Sequence, residues 1–370
     1  MSSGGGSGSG GGGSGGPNWL GLLKWSLAHS DGTSGTTVGK MSDADREFLE
    51  NLMKSMVKDE MSALRDCLAF IHECGEKVGR GEEISEDEND KFLDKVEEIR
   101  DITDQVDMAE NFIKIGGLDC LMGGVKQRLL PSELRASLVG AFGSISQNHL
   151  KIQDSVFKAG FIEALWIELV AVLNSEWSAS VDKLAAKIIF GISGSIRGHE
   201  AAEQYFLVNC VVPLFQTLYR IIQDQEAVAS GASSPEISLL FAGLRGFNTN
   251  CDNTKALSRL LFLTKALFTS DYANLDRRIL FIKCWVPSIY SILSHFTSGE
   301  IREICLQLII SILKSDARSY FFESRQTNRS ELETVLLAVD AFLQKVDPEE
   351  HSVDLESALV EDIRQELARP

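Results

Sequence analysis

Apolar residues recur at helical spacing along most of the chain, and the helices that they predict form a weak repeat. Each unit has an apolar helix, a short polar break, a second helix that ends in a small residue, and a third apolar helix. The small residues are Gly116, Gly160, Cys210 and Cys284, which lie 44, 50 and 74 residues apart. A period of about 40–47 residues in all-helical sequence is typical of armadillo and HEAT repeats. We therefore predict an all-α fold, an armadillo/HEAT-like right-handed superhelical solenoid with a disordered Gly/Ser-rich N-terminal arm.

The ends of the chain and one internal stretch depart from the repeat. The first sixteen residues hold ten Gly and five Ser, a composition that buries too little apolar surface to fold. Ser85 precedes an apolar-periodic segment and is the expected N-cap of its helix. The acidic tail is expected to hold one more helix, which serves as a polar cap of the stack. The predicted regions are a disordered arm at 1–40 with an apolar segment at 17–30, capping helices and an acidic loop at 42–90, armadillo-like repeats at 91–346 with an insertion at 224–253, and an acidic tail at 347–370.

Composition narrows the range of partners. The formal net charge is −17, which argues against nucleic acid and against an anionic membrane surface, because both are bound through Lys and Arg. A protein partner with basic patches suits this balance better. The seven cysteines are scattered and form no CxxC pair. We therefore expect buried free thiols, no metal site and no cofactor.

No signature of an enzyme stands out in the sequence. The Gly-rich stretches at 140–144 and 191–195 lie within predicted helices and lack the Lys and the preceding strand of a P-loop. No apolar run reaches the length of a membrane span, and the Gly/Ser start lacks the apolar core of a secretory signal. We expect a cytoplasmic, monomeric protein that binds another protein and catalyses no reaction.

In an armadillo repeat the helix that follows the polar break lines the groove, and it carries the candidate binding residues. We predict these helices at 95–107, 134–148, 181–196, 255–269 and 300–314. Each has an apolar stripe that packs inward and a second stripe, with residues four apart, off the apolar face. In a stack of helices the second stripes form a ladder on the concave surface. The alternative is that they are merely the exposed face that any helix has. The candidate contact residues are Glu97, Arg100, Asp104, Gly140, Ser144, Gln147, Lys183, Lys187, Gly191, Leu261 and Lys265.

The small residues of the ladder and the inward stripe carry separate expectations. Small residues such as Gly140, Ser144 and Gly191 are expected to let a globular partner approach the surface closely. The Trp/Asn pair that importin-like peptide adaptors repeat in this place is absent, which disfavours nuclear-signal binding. The inward stripe is Val96, Ile99, Ile102 and Val106 in the first helix and Leu138, Phe142 and Ile145 in the second.

The apolar segment NWLGLLKW lies between two stretches that are predicted to be flexible, and an exposed apolar patch usually marks an interaction site. It has three interpretations. It is a client-like pseudo-substrate for a chaperone, an amphipathic helix that docks on a partner or a membrane, or a loosely docked cap on the solenoid. The residues of this client-mimic arm are Trp19, Leu20, Leu22, Leu23 and Trp25.

Several segments, taken in order, resemble one known family. They are the Gly/Ser arm, NWLGLLKWSL, MSDADREFLENLM, DMAENFIKIGGLDCL and LRASLVGAFGSISQNHLKIQDSVFKAGFIEAL. The strongest stretch is residues 95–170, where Asp107–Phe112, Ser146–Asn148 and Gln153 carry most of the similarity. The chain resembles the armadillo-type nucleotide exchange factors of the 70-kilodalton heat-shock chaperones, a family that includes the heat-shock-protein-binding protein and the Fes-type co-chaperones.

The resemblance implies a partner and a mechanism. In the family, the concave face clasps the outer lobe of the chaperone's ATPase domain, so that ADP leaves, ATP enters and the client is released. The N-terminal arm is implied to enter the client site of the chaperone and to prevent clients from binding again. No chemistry by this chain is needed. The alternative from a different class is an armadillo-repeat scaffold or ubiquitin-ligase adaptor that has no effect on nucleotide release.

Overall fold

The computed structural model describes residues 60–173, 175, 178–211, 255–295, 298–323, 329–345 and 354–369, together with residues 43 and 47. The chain divides into two units, Met1–Asp66 and Cys67–Pro370. The predictions for the arm and for the insertion lie outside the described residues. Among the described helices, none combines the length and the apolar character that a membrane crossing requires.

The described residues form helices and turns, and no strand occurs among them, so the all-α prediction is confirmed. A π-helical turn, Leu207–Val211, continues the ninth described helix. The helices are α1 (Glu60–Gly79), α2 (Glu86–Thr103), α3 (Val106–Lys114), α4 (Gly117–Lys126), α5 (Ser132–Ser146), α6 (Leu150–Lys158), α7 (Phe161–Leu173), α8 (Ala179–Ile196), α9 (Glu200–Phe206), α10 (Lys255–Phe268), α11 (Leu275–His295), α12 (Gly299–Leu313), α13 (Arg318–Glu323), α14 (Arg329–Leu343) and α15 (Asp354–Ala368).

One helix from each repeat takes part in a continuous inner layer. Helix α2 packs on α5, α5 on α8, α8 on α10, α10 on α12, and α12 on α15. The other helices pack around this layer, for example α4 against α5, α7 against α8 and α11 against α12. Stacked helical units in which each contacts its neighbours are the architecture of an armadillo-type solenoid, so the predicted fold class is confirmed. Helix α15 takes the place of the expected cap.

The inward apolar stripe is confirmed at six of its seven residues, which are buried, and the exception is Val106, which is 58% exposed. Helix α2 ends at Thr103, whose Oγ1 donates a hydrogen bond to the carbonyl oxygen of Ile99 (2.6 Å). Gln105 is extended and stands before α3 as its N-cap. Val106 therefore begins a new helix, and the prediction that it packs inward on a helix reaching residue 107 is wrong.

The small residues of the repeat pattern have two different roles. Gly116 and Gly160 have φ angles of 79° and 71°, so each makes a left-handed break between two helices. Glycine adopts this conformation at little cost, whereas a residue with a Cβ resists it. Cys210 lies in the π-helical turn and Cys284 lies within α11, so the backbone stays helical at both. The expected end of a helix therefore exists at the two glycines and is absent at the two cysteines.

The start of α2 follows from its sequence. Ser85 Oγ accepts a hydrogen bond from the backbone N–H of Glu88 (3.3 Å), and the Glu88 carboxylate accepts one from the backbone N–H of Ser85 (2.8 Å). This reciprocal arrangement is a capping box, so the N-cap prediction for Ser85 is confirmed. Lys77 of α1 donates to the same carboxylate at 2.7 Å and 2.8 Å. The acidic run after Ser85, predicted as part of a loop, is the first part of α2.

Candidate functional site

The predicted contact residues differ in exposure. We call the exposed side of α2, α5, α8 and α10 the inner-helix face. A side chain that is exposed on this face can contact a docked partner, whereas a buried side chain cannot. Glu97, Arg100, Asp104, Gln147, Lys183 and Lys187 are exposed, Ser144 and Lys265 are half-buried, and Gly140, Gly191 and Leu261 are buried.

Glycines of α5 and α8 serve the contact between these two helices. A Cβ on Gly194 would lie 2.5 Å from the carbonyl oxygen of Gly143, and a Cβ on Gly191 would lie 2.8 Å from Cγ1 of Val139. Such distances leave no room for a side chain, so the glycines allow the two helices to approach closely. Gly191 thus makes room for a neighbouring helix rather than for a docked partner. Leu261 has no exposed surface for a partner to touch, because it lies on the packed side of α10.

Lys187 of α8 uses the space that Gly140 of α5 leaves free. A Cβ on Gly140 would lie 3.5 Å from Nζ of Lys187 and within 3.8 Å of its last two methylene carbons. The Lys187 amine also lies 5.8 Å from the centroid of the Phe190 ring, at the edge of cation–π range. The amine of a lysine on α8 therefore lies close to the α5 backbone at Gly140, at a distance that would be an ordinary van der Waals contact for a Cβ.

Four cations from three inner-layer helices form a cation cluster on the inner-helix face. They are Arg100 of α2, Lys183 and Lys187 of α8, and Arg259 of α10. Partial burial of the Lys187 ammonium, and then the positive charges of the other three, lower the pKa of Lys187 below its usual range. Glu97 acts in the opposite direction. The cluster is a local excess of positive charge on a chain whose formal net charge is −17.

Two members of the cation cluster are paired with carboxylates. Arg100 pairs with Glu97 at 2.6 Å along α2, and Lys183 pairs with Glu133 of α5 at 3.0 Å. Among the described residues, neither of the other two members has an ion pair. Half of the cluster is thus left to interact with solvent or with a partner.

Two grooves open at the C-terminal ends of the inner-layer helices, on either side of Gln147 and Asn148. The larger has a volume of about 680 Å³, lies at the ends of α5, α8 and α10, and includes Arg197, Phe262 and Tyr272 in its lining. The smaller has a volume of about 170 Å³ and lies at the ends of α2 and α5. Both grooves are lined by Gln147 and Asn148, so the turn after α5 is the wall between them.

The larger groove exposes two aromatic side chains that sequence analysis missed. Phe262 is 46% exposed and Tyr272 is 42% exposed. The Arg197 guanidinium carbon lies 5.6 Å from the centroid of the Phe262 ring, and Tyr272 donates a hydrogen bond to the carbonyl oxygen of Gly198 (3.4 Å). Phe262 follows the buried Leu261 in an apolar helix, so the helical phase is the one signal that would have assigned Phe262 to the surface.

Gln153, one of the residues that carry the family resemblance, has a structural role. It is buried, and its amide donates to the carbonyl oxygens of Gly194 (2.8 Å) and Arg197 (2.9 Å) at the end of α8. Those carbonyls would otherwise lack helical partners. Glu203, fifty residues later, is also buried and accepts from the backbone N–H of Gly198 (3.0 Å) and from Arg277 (2.8 Å). These residues fix the walls of the larger groove.

Polar side chains of α10 and α12 that lie outside the cation cluster form hydrogen bonds with one another. Lys265 donates to Oε1 of Gln307 (2.5 Å), and Gln307 donates to Glu303 (3.0 Å). Ser258 donates to Glu300 (2.5 Å) across the same pair of helices. Lys265 is therefore tied to α12, which leaves its ammonium less available to a partner than that of Lys187.

Reactive groups are not concentrated anywhere in the part of the chain that the structure describes. No group of three or more His, Cys, Asp or Glu side chains that could hold a metal ion occurs there. Burial raises the pKa of Cys120 to about 11 and that of Cys210 to about 12, so both thiols are neutral and weakly nucleophilic at neutral pH.

These features define the class of protein: a stack of helical repeats with an extended surface, as in proteins that bind other proteins. The profile of one protein family, nucleotide exchange factor Fes1, matches residues 20–112 of this chain. This match confirms the family resemblance over these residues. Among solved structures, the chain is similar to the designed armadillo repeat protein YIII(Dq)4CqI, at 13% identity and a TM-score of 0.44, over 80% of this chain and 99% of that one. No curated protein matches the sequence.

The matched range begins within the apolar segment of the arm and ends in α3. It includes three of the predicted contact residues, Glu97, Arg100 and Asp104. The rest of the cation cluster and both aromatic residues of the larger groove lie beyond it.

Proposed function

We propose that this chain is a cytoplasmic nucleotide exchange factor that binds the ATPase domain of a 70-kilodalton heat-shock chaperone through its inner-helix face, as a monomer. The observation that carries the proposal is the match of residues 20–112 to a family of nucleotide exchange factors. Glu97 and Arg100 on α2 and Asp104, the C-cap of α2, are exposed inside the matched range, which supports the inner-helix face as the contact surface.

The charges on this face favour a partner surface that carries carboxylates. The cation cluster has two members without ion pairs among the described residues, and opposite charges across an interface speed encounter and fix orientation. Phe262 and Tyr272 supply apolar area beside these charges, as aromatic side chains do in the buried centre of interfaces. The partner we expect therefore presents acidic side chains next to an apolar patch, in place of the basic patches that the net charge of −17 alone indicates.

Weaker ADP binding follows from a preference of this chain for one form of the ATPase domain. A protein that binds the open form of the ATPase domain more tightly than the closed form must weaken nucleotide binding by the same factor. A tenfold effect on ADP affinity requires about 1.4 kcal/mol of difference in binding between the two forms. No bond is made or broken by this chain, so we propose that it is not an enzyme.

The arm has a separate proposed role. Its apolar residues would occupy the client site of the chaperone, and tethering to the bound stack would keep their local concentration high. The family match begins at residue 20, within the segment concerned, which supports a role for it. Truncation at residue 40 is expected to leave ADP release unchanged and to slow client release. The residues concerned are Trp19, Leu20, Leu22, Leu23 and Trp25.

The test is stopped-flow release of a fluorescent ADP analogue from a purified cytosolic chaperone, with and without this chain. We expect a large acceleration that Lys187→Glu or Arg100→Glu weakens. Lys126→Glu changes the net charge equally on an exposed residue of α4 and serves as the control. Binding without any acceleration would favour the alternative, an armadillo-repeat scaffold or ubiquitin-ligase adaptor. Absence of binding at saturating protein would reject the chaperone as partner.

A further inference from the structure

The larger groove has walls that hydrogen bonds hold in place. Two of its rims are the turn after α8 and the turn after α10, and the buried carboxylate of Glu203 joins them. It accepts a hydrogen bond from the backbone N–H of Gly198 on the first rim (3.0 Å) and one from the hydroxyl of Ser270 on the second (2.7 Å). The hydroxyl of Tyr272 donates to the carbonyl oxygen of Gly198 (3.4 Å) and joins the rims again. A ligand therefore meets a preorganised groove, which lowers the entropy cost of binding.

The groove is small and carries side-chain amides that suit an extended chain. Its volume of about 680 Å³ is in the range of pockets that enclose a drug-sized molecule, so it admits a few residues and no folded domain. Gln147 and Asn148 line it, both are exposed, and neither side-chain amide has a hydrogen-bond partner in the described part of the chain. An amide can donate and accept at once, as pairing with the N–H and C=O of an extended backbone requires. A helix would bring a backbone already paired within itself.

The charges in the groove favour an acidic ligand. Arg197 and Arg259 line it, and neither has an ion pair with any described residue. The lining has two carboxylates, and that of Glu203 is already bound to Arg277 at 2.8 Å, which leaves Asp271. Two guanidinium groups thus remain, and each can bind a carboxylate through two parallel hydrogen bonds.

The same groove offers a place for one apolar side chain. Phe262 and Tyr272 are both more than two-fifths exposed, and the Arg197 guanidinium carbon lies 5.6 Å from the centroid of the Phe262 ring. Aromatic and arginine side chains that line a pocket together are the residues that most often dominate the energy of a protein interface. An apolar anchor on the ligand would remove both rings from water while the guanidinium beside them meets a carboxylate.

We propose that the larger groove binds a short, extended segment of the partner, in which carboxylates flank one apolar anchor residue. Phe262 and Tyr272 contact the anchor, Arg197 and Arg259 bind the carboxylates, and the Asn148 amide pairs with the backbone. The inference deepens the proposed function and rests on it for the identity of the partner. The groove itself rests on the contacts described above.

Fluorescence anisotropy with a synthetic peptide tests the groove. The probe is a fluorescein-labelled peptide of Asp and Glu with one central Phe, titrated with the full chain. We expect saturable binding that is at least about tenfold tighter than that of the same peptide with every carboxylate replaced by an amide. Replacement of the central Phe by Ser should weaken binding at least about fivefold. Absence of saturable binding, or equal binding of the amide peptide, would overturn the proposal.

Substitutions in the groove test whether the peptide binds there. Arg197→Gln and Phe262→Ala are each expected to weaken binding at least about fivefold. The matched controls are Arg65→Gln, at an exposed residue of α1, and Leu337→Ala, at a residue of α14 that is 65% exposed, and both should bind within about twofold of wild type. All four side chains are exposed, and circular dichroism checks that the variants are folded. Wild-type affinity in both groove variants would place the peptide elsewhere and overturn the proposal.

Two further measurements test the kind of ligand. Asn148 has a φ angle of 60°, so Asn148→Gly keeps the left-handed backbone and removes only the amide. We expect about threefold weaker binding, and an unchanged affinity would contradict pairing with an extended backbone. Arginine beside exposed aromatic rings also occurs in sites for single-stranded nucleic acid. An oligouridylate of the same length that binds more tightly than the acidic peptide would overturn the proposal in favour of such a ligand.

Titration with the chaperone's ATPase domain separates this inference from the proposed function. An ATPase domain that binds while the acidic peptide does not would leave the proposed function standing and overturn the groove. A peptide that binds in the groove while the ATPase domain does not bind would reject the proposed function and support the groove. Where both bind, saturating unlabelled peptide should weaken binding of the domain at least about fivefold. Undiminished binding of the domain would overturn the assignment of the segment to this partner.

Discussion

The contact between α5 and α8 and the contact between α12 and α15 are built by opposite means. The first is a backbone contact, in which Gly194 lies so close to Gly143 that a Cβ would be 2.5 Å from a carbonyl oxygen. The second is a side-chain contact, in which the Arg302 guanidinium meets the Glu356 carboxylate through two hydrogen bonds of 2.7 Å and 3.0 Å. Both charged side chains are almost fully buried.

The two contacts place the polar side chains of their helices differently. Between α5 and α8 the backbones do the packing, so long side chains such as Lys187 are displaced to the surface and remain available there. Between α10, α12 and α15, polar side chains form hydrogen bonds across the helices, so these groups are satisfied within the stack. We infer that the binding surface centres on the cation cluster of α2, α8 and α10, and that the contacts of α12 with α10 and α15 mainly complete the fold.

The largest expected effect comes from breaking the buried ion pair. Arg302→Met removes the guanidinium and leaves the Glu356 carboxylate buried without its partner. We expect a loss of about 3–5 kcal/mol in the free energy of unfolding, measured by urea denaturation. The guanidinium also lies 4.1 Å from the centroid of the Phe342 ring, a contact that Met preserves in part. Exchange activity measured well below the melting temperature should be retained, because this pair lies far along the stack from the cation cluster.

The matched control is the double variant Arg302→Met/Glu356→Leu, which replaces both charges by apolar groups. Since an apolar pair needs no desolvation of charge, we expect it to recover most of the lost stability. A double variant as unstable as the single one would show that the pair itself, and not the unpaired carboxylate, determines stability at this contact.

The next effect comes from breaking the glycine contact. Gly194→Ala places a Cβ against the backbone of α5, which cannot move as a flexible side chain can. We expect a loss of about 1–3 kcal/mol in the free energy of unfolding. Gly123→Ala is the control, because a Cβ there meets nothing within 4 Å, and in helix α4 alanine should stabilise by up to about 1 kcal/mol. Equal effects of the two substitutions would mean that α5 and α8 are not in close contact in solution.

The sequence predicts some features of these helices and not others. Helical periodicity was enough to predict the inner-layer helices, their buried stripe and the N-cap at Ser85, because each depends on neighbours in the chain. The break at residue 104 has no clear signal, because only a short polar turn interrupts an otherwise continuous apolar period. Val106 was therefore wrongly placed on the inward stripe. Gly191 was predicted to contact the partner, because a sequence does not indicate which surface a small residue faces.

The candidate site shows the same division. Exposure of Lys187 follows from helical phase, so its place on the ladder was predictable. Its proximity to Arg100 and Arg259 depends on how α2 and α10 lie against α8, and its position over Gly140 depends on the short distance between α5 and α8. These are properties of the assembled stack. Tertiary distances of this kind have no signal in a single sequence.

A smaller effect is expected on binding rather than on stability, and it tests which inner-layer residues contact the partner. Lys187→Glu reverses a charge that has no ion pair among the described residues, and we expect about a tenfold rise in the dissociation constant for the chaperone's ATPase domain. Lys265→Glu reverses a charge already bound to Gln307, and we expect a change of at most about threefold. Isothermal titration calorimetry measures both. A larger effect of Lys265→Glu than of Lys187→Glu would place the binding surface in the later helices and contradict the comparison.

The smallest effect concerns a half-buried ion pair, the counterpart of the fully buried one. The Lys77 ammonium, followed by the capping bonds from Ser85, lowers the pKa of Glu88 from its ordinary 4.5 to about 2. A carboxyl with a lowered pKa stabilises the fold above pH 4.5, and this contribution is lost as pH falls towards 2. Glu88→Gln should therefore lower the melting temperature slightly at pH 7, and the difference from wild type should narrow between pH 5 and about pH 3. Glu86→Gln, two residues earlier and outside the capping box, is the control. A difference for Glu88→Gln that stays constant over this range would mean that the capping geometry, and not the charge, stabilises the start of α2.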